Sequence, residues 1–448
     1  MKIEDSRRII WDLMERLRGV VYSRNPVFSA LRLVFLKYAV DNSIGASNKE
    51  DMQQCIRAQK MFAMRDVSNG IETVIPVLRY IDSAYGLDAV LASPENIDEY
   101  ARELFGADRL RQKRNASDEG FRSLMEYVGS LDLEEDQDLA IGRSMVDALI
   151  SMLESNSERN SFAGENVTNN SVSLLAKALL RVAHDDSFLD FASGAGVSTL
   201  LITREDLPAI TNVELNGVNA AAAAMLYIMY GYQNIRILVC DSISDRIPDI
   251  AGNKLFVDPP LAGKVEKSET NEYSDMSLAT LKRVIRDYLT RDGEAVVIVP
   301  SGTLFQGKKQ AVDIRTELVQ LGMVKAVISL PPMWYATSVN TNLLFISKKD
   351  MPRAEVLFVD ATREMKNAKA RSGAAAVISS ELIGKIASVV ADREEILGFS
   401  RLVHQNEIRS KDFNLVPSSY ITLPSEEDTM TMEEVNAQLA ELYRQLMQ

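Results

Sequence analysis

The residues best suited to chemistry stand in a fixed order in the middle of the chain. They are Asp190-Phe191-Ala192-Ser193-Gly194-Ala195-Gly196, then Glu214, then Asp241, then Asp258-Pro259-Pro260-Leu261. The first group follows a short apolar run and reads as a strand entering a glycine turn. Glycines at such a turn let the backbone approach a ligand closely. Glu214 and Asp241 each close a later apolar run. A carboxylate at the end of a strand can accept hydrogen bonds from both hydroxyls of a ribose. Three acidic strand ends behind a glycine loop therefore fit a nucleoside ligand. The phosphate-cradling pattern of nucleotide hydrolases is missing, which argues against an ATPase.

Asp258-Pro259-Pro260-Leu261 ends the apolar run KLFV. A diproline drives the backbone out of regular structure. It pins the Asp258 side chain and the Pro259 carbonyl at the carboxyl edge of a sheet. Two fixed acceptors at one point suit an exocyclic amine: they take its two hydrogens and leave the nitrogen lone pair facing an electrophile. Asp-Pro-Pro alone would be an ordinary turn. Its position after a nucleoside-type loop and two acidic strand ends favours the chemical reading. Ser193 does not make a nucleophile elbow, because no glycine stands two residues before it. Trp334 and Tyr335 read first as packing residues, and Lys308 and Lys309 as a solvated loop.

These residues require a scaffold of alternating strands and helices, and the sequence supplies one. SFLDF, AITNVEL, IRILVC, KLFV, EAVVIVP, VKAVISL and NLLFISKK read as strands, with helical patterns between the earlier ones. That alternation predicts an α/β fold with a largely parallel sheet covered by helices on both faces. Ligands of such sheets bind at the carboxyl ends of the strands. A further strand is predicted at EVLFVD (355–360). Residues 1–155 read as a helical N-terminal domain, with Ile9, Ile10, Leu13 and Leu17 at helical spacing. The Asn- and Ser-rich stretch from 156 to 171 marks the start of the second domain, which runs to about 425. Residues 426–448 read as a C-terminal helix. Its seam of Met432, Val435, Leu439, Leu442 and Leu446 serves either intramolecular packing or partner docking.

Composition narrows the function classes. With 448 residues, 46% of them apolar and 25% charged, the chain reads as an ordinary globular protein of two or three domains. Its net charge of −13 gives no overall basic field for nucleic acid, and RLRQKR (109–114) is a local exception. Two cysteines, Cys55 and Cys240, suit a reducing cytoplasm and cannot form a disulfide framework. Two histidines make zinc chemistry an unpromising reading, and no metal site is expected. The longest apolar run, Ala220 to Tyr230, is too short to span a membrane, so no membrane association is expected.

The ordered motifs resemble the modification (methyltransferase) subunit of type I restriction-modification systems, a class of adenine-N6 DNA methyltransferases. The likeness runs through RLRG and LRLVFLKYAVD, GENVTNNSVSLLAKAL, DFASGAG, DPPL, EAVVIVPSGTLFQGKKQAVDIRTELV, ISLPPMWYATSVNTNLLFISK and DFNLVPSSYI. The resemblance implies a Rossmann-like, seven-stranded methyltransferase domain that uses S-adenosylmethionine. Carried over by position, Asp190, Gly194 and Gly196 would line the methionine side of the cofactor. Glu214 would hold its ribose, Asp241 would lie near its adenine, and Thr168 stands in the cofactor segment that leads into the domain. Asp258, Pro259, Pro260 and Leu261 would form the catalytic tetrapeptide, acting on an adenine flipped out of the duplex.

The resemblance also implies double-stranded DNA, a specificity subunit, a second copy of the chain and a restriction subunit as partners. Three positions depart from the family pattern. Leu261 replaces an aromatic residue whose stacking on a base is worth roughly 1–3 kcal/mol. Asp258 replaces the usual Asn. Asn169 replaces a proline, which predicts a looser cofactor segment. The rival reading is a catalytically impaired scaffold or regulatory subunit of a DNA-binding complex.

Overall fold

The computed structural model describes residues 3–18, 26–64, 70–101, 118–135, 139–159, 168–247, 249–260, 263–268, 271–333, 340–365 and 376–422. The basic run at 109–114, Leu261, Trp334, Tyr335 and the C-terminal seam lie outside these residues. Among the described residues, no helix is long and apolar enough to cross a membrane. No cluster of three or more histidine, cysteine or acidic side chains there could hold a metal ion.

The first part of the chain is helical, as its periodicity predicts. It comprises α1 (Ile3–Arg18), α2 (Pro26–Asp41), α3 (Lys49–Met64), α4 (Gly70–Tyr85), α5 (Pro94–Glu99), α6 (Asp118–Ser130) and α7 (Ala140–Arg159). Helix α1 shows the amphipathic logic plainly, since Ile10, Leu13, Met14 and Leu17 are buried while its charged residues face water. Helix α2 is buried from Val27 to Val40 and forms the centre of this layer.

Helix α8 (Asn170–Leu180) leads into the sheet. Then follow β1 (Ser187–Phe191), α9 (Val197–Thr203), β2 (Ala209–Glu214), α10 (Gly217–Tyr230), β3 (Ile235–Val239), β4 (Gly252–Val257) and α11 (Met276–Arg283). After a π-helical turn at Val284–Tyr288 come β5 (Leu289–Pro300), α12 (Ser301–Phe305), α13 (Lys309–Gln320), β6 (Val324–Leu330) and β7 (Thr341–Ser347). Strand β8 (Glu355–Asp360), α14 (Ser380–Asp392), β9 (Ser400–His404) and α15 (Gln405–Ser410) complete the order.

The sheet order is β3-β2-β1-β4-β5-β7-β6-β8-β9. Strands β3, β2, β1, β4 and β5 are mutually parallel, and β7 runs antiparallel between β5 and β6. The expected seven strands are all present. Two more extend the sheet: β8, parallel to β6, and β9, antiparallel to β8. The run EVLFVD therefore is a strand, and SRLVH, too short and polar to read as one, completes its hydrogen bonding.

Strand residues alternate between two cores. Phe188, Phe256, Ile298 and Phe345 face α8, α9, α10, α14 and the N-terminal helices, while Leu189, Leu255, Val297 and Leu344 face the side of α11, α13 and α15. Both faces are covered, which explains why the central strands are continuously apolar. Helix α10 is apolar all round because it lies between the sheet and the N-terminal helices. Arg143 of α7 donates to the Tyr230 carbonyl, and a Cβ on Gly142 would strike the Met229 carbonyl. The DFNL block closes the second face: Leu415 donates to the Leu304 carbonyl, and Tyr420 stacks on Phe358 at 4.4 Å.

Candidate active site

The parallel register brings the acidic strand ends to one edge. Asp190 pairs with Asn212 of β2 and with Phe256 of β4. Glu214 and Asp258 each lie two residues beyond those partners, so side-chain alternation sends both toward the face that Asp190 occupies. Asp241 follows β3, the outermost strand at this end, by two residues.

Asp190 is almost wholly buried, at 1% exposure. Its carboxylate accepts from Thr199 Oγ1 at 2.6 Å. Burial pushes it up to about 7 against that hydrogen bond, and the negative charges of Asp258 and Glu214 add to the rise. Beneath the glycine loop Asn212 donates to Thr199 and, at 2.7 Å, to the Tyr227 hydroxyl, which donates to the Gly196 carbonyl at 3.1 Å. Burial raises Tyr227 well above its ordinary value, so it stays protonated and remains a donor.

The two glycines use their freedom differently. Both have positive φ, +54° at Gly194 and +76° at Gly196. A Cβ on Gly196 would strike the Tyr227 hydroxyl, whereas one on Gly194 would meet nothing within 4 Å. Gly196 is thus fixed by packing beneath the loop, and Gly194 borders open space. The Gly194 N–H donates to Glu214 Oε2 at 2.8 Å, and Asn216 N–H donates to Oε1 at 2.8 Å. Glu214 therefore ties the loop to β2. Asp241 Oδ1 accepts from the Ile243 and Ser244 N–H groups and shapes the turn after β3.

Asp258 and Thr168, 90 residues apart in sequence, meet directly. Thr168 Oγ1 donates to Asp258 Oδ2 at 2.5 Å. Burial pushes Asp258 up to about 7, and the Thr168 hydrogen bond pulls it back. Pro259 is buried and Pro260 exposed, as expected for a turn leaving the sheet. Thr168, expected on the cofactor, is thus bonded to the carboxylate of Asp258.

Asn169 revises the expectation of a loose segment. It caps α8 by accepting from Ser171 N–H, and its amide donates to the Met333 and Ala376 carbonyls at 3.1 and 2.8 Å. Side-chain hydrogen bonds replace the fixed dihedral of proline. Ser193 Oγ, buried in the glycine loop, has no hydrogen-bond partner among the described residues.

Two residues of this edge escape the motif reading. Leu215 is 69% exposed beside Glu214, and Val239 is 46% exposed beside Asp241. Exposed apolar groups next to ribose-type acceptors suit a flat heterocycle. For Leu215 the sequence signal is an apolar residue directly after an acidic strand end; Val239, two residues before Asp241, carries no such signal.

Residues 259–429 match the model of the N-6 DNA methylase family. The type I restriction enzyme MjaVIII methylase subunit of Methanocaldococcus jannaschii is 27% identical over 319 residues, covering 64% of this chain and 54% of the relative. The MpnII methylase subunit of Mycoplasma pneumoniae is 23% identical, covering 72% and 65%. The chain thus spans between about half and two thirds of the length of these curated relatives.

Among solved structures, the type I methyltransferase subunit from Streptococcus thermophilus superposes with a TM-score of 0.70 at 20% identity, covering 94% of this chain and all of that one. A modification subunit of a putative type I restriction enzyme from Vibrio vulnificus gives 0.61 at 15% identity, covering 91% and 93%. In sequence the chain is thus similar to the methylase subunits of type I restriction enzymes, and its fold is the one seen in the solved methyltransferase subunits of such systems.

Proposed function

We propose that the chain is the adenine-N6 DNA methyltransferase subunit of a type I restriction-modification-like system, with S-adenosylmethionine as its methyl donor. The observation that carries this reading is the Thr168–Asp258 contact at the edge of the sheet, beside the Pro259 turn and next to the glycine loop. It commits one Asp258 oxygen to Thr168 and leaves the other as the acceptor for a target amine.

The residues fit the cofactor. Gly194 borders open space, Ser193 Oγ has no partner among the described residues, and Glu214 and Asp241 offer carboxylates at adjacent strand ends. Leu215 and Val239 would border its adenine. The charges of Asp258 and Glu214 disfavour ionisation of Asp190, and a cationic ligand would offset that effect. When bound, S-adenosylmethionine supplies an electrophilic methyl group.

The chain's own part is orientation. Asp258 and the Pro259 carbonyl accept the two hydrogens of the flipped adenine's amine and aim its lone pair. The proton released on transfer passes to Asp258 or to solvent. No covalent enzyme intermediate is needed. Target reading falls to a specificity subunit, because a chain of net charge −13 makes few of the phosphate contacts that dominate DNA affinity. A second copy and a restriction subunit complete the assembly we propose.

The test is transfer of labelled methyl groups from S-adenosylmethionine to duplex DNA with all partner subunits present. Wild-type transfer that Asp258→Ala abolishes, with cofactor affinity retained, supports the enzyme. Cofactor binding without transfer supports the scaffold, the reading that Leu261 favours.

A further inference from the structure

We infer that Arg283 and Tyr288, at the two ends of the π-helical turn, are positioning residues for the nucleoside end of the cofactor. The inference rests on the cofactor reading above and extends it to residues that touch no part of the ligand.

The turn after β3 carries Asp241, yet it leaves the last strand of the sheet and, among the described residues, has no ladder partner on its outer side. Its support comes from beneath. The guanidinium of Arg283, at 4% exposure, donates to the Ser242 carbonyl at 3.3 Å and to the Asp245 carbonyl at 2.7 Å. It also donates to the Tyr288 hydroxyl. Tyr288, at 1% exposure, donates in turn to the Ser242 carbonyl at 3.1 Å. Its ring packs on Phe191 at 4.8 Å, at the root of the glycine loop. One buried pair therefore reaches both the loop at the nucleoside end and the strand end below Gly194.

The helix geometry serves this purpose. A π-helical turn carries one extra residue, and such turns cluster at functional sites. Here it lets Arg283 and Tyr288, five positions apart, point at the same carbonyl. Burying a guanidinium is costly, and the Asp287 carboxylate at 2.8 Å offsets only part of that cost. Four guanidinium N–H groups are fixed in this way: two on the turn after β3, one on Tyr288 and one on Asp287. The planar guanidinium fork presents its donors in a fixed geometry, whereas a lysine ammonium is a compact point charge on a flexible stem.

The experiment measures affinity for two probes, S-adenosylmethionine and 5′-deoxy-5′-methylthioadenosine, which keeps the nucleoside and lacks the amino-acid part. Arg283→Met should weaken both by the same factor, about tenfold, and Tyr288→Phe should weaken both about threefold. Arg283→Lys should recover part of the loss. At saturating cofactor, kcat should stay within about twofold of wild type, so the effect falls on KM. Circular dichroism establishes that each variant is folded, and Tyr288→Phe carries the test if Arg283→Met does not fold. Unchanged affinity for the nucleoside probe in folded variants overturns the inference, as does a fall in kcat with KM unaltered. A wild-type chain that binds neither probe overturns the cofactor reading itself, and the positioning role with it.

Discussion

Asp258→Asn separates charge from geometry at the proposed acceptor. Burial places Asp258 near 7, so its ionised fraction is about one tenth at pH 6 and about nine tenths at pH 8. If the ionised carboxylate is the productive acceptor, methyl transfer under single-turnover conditions falls about tenfold from pH 8 to pH 6. Asparagine keeps the shape. Its carbonyl oxygen can face the amine while its NH2 group donates to the Thr168 hydroxyl, which can accept as well as donate.

The variant should therefore retain transfer within about tenfold of wild type at pH 8 and lose the acid limb, since it has no proton to gain. Asp190 also lies near 7, partly because of the Asp258 charge, and removing that charge lowers Asp190. Any residual limb must then move to lower pH. The assay is single-turnover transfer of labelled methyl groups between pH 5.5 and 8.5. An acid limb in Asp258→Asn at the wild-type position would refute the assignment of that limb to Asp258.

Glu214→Gln should weaken S-adenosylmethionine binding by roughly 1.5–3 kcal/mol, about 10- to 150-fold, measured by calorimetry; unchanged affinity would remove Glu214 from the cofactor site. Asn169→Pro should lower stability by about 1–2 kcal/mol in urea unfolding and bring no gain in cofactor affinity, because it deletes the α8 cap and both carbonyl ties. A stabilised variant would contradict the capping role. Folded-state values near 7 for Asp190 and Asp258 and near 6 for Asp82 exceed the ordinary carboxylate value, so the folded chain binds more protons. Its stability without ligand should therefore fall as the pH rises from about 4 to 7, or to 6 for Asp82, on the order of 1 kcal/mol per pH unit for each group within its own window. Thermal melting at pH 5 and 7.5 checks this, and Asp190→Asn should shrink the difference.

The sequence makes the site's frame legible wherever the chemistry is local. The glycine loop, Glu214, Asp241 and Asp258-Pro259-Pro260 each sit at the end of an apolar run, so their placement follows from strand alternation alone. What it hides depends on contacts distant in sequence. Thr168 meets Asp258 only because α8 packs on the face that β4 shares, and no spacing rule connects residues 90 positions apart. Asn169 reads as a lost proline until its amide reaches the Met333 and Ala376 carbonyls. Strand β9 is short and half polar, and only its pairing with β8 makes it a strand. Arg283 reads as one more helical charge, since burial is a property of the π-helical turn and the sheet together.

The most direct measurement is the identity of the methylated base. Duplex DNA treated with the complete assembly and labelled S-adenosylmethionine would be digested to nucleosides and resolved by mass spectrometry. Our account expects N6-methyladenine as the labelled product, absent when Asp258→Ala replaces the wild-type chain. Label on the cytosine N4 amine would contradict the adenine assignment, and no label despite demonstrated cofactor binding would contradict the enzyme.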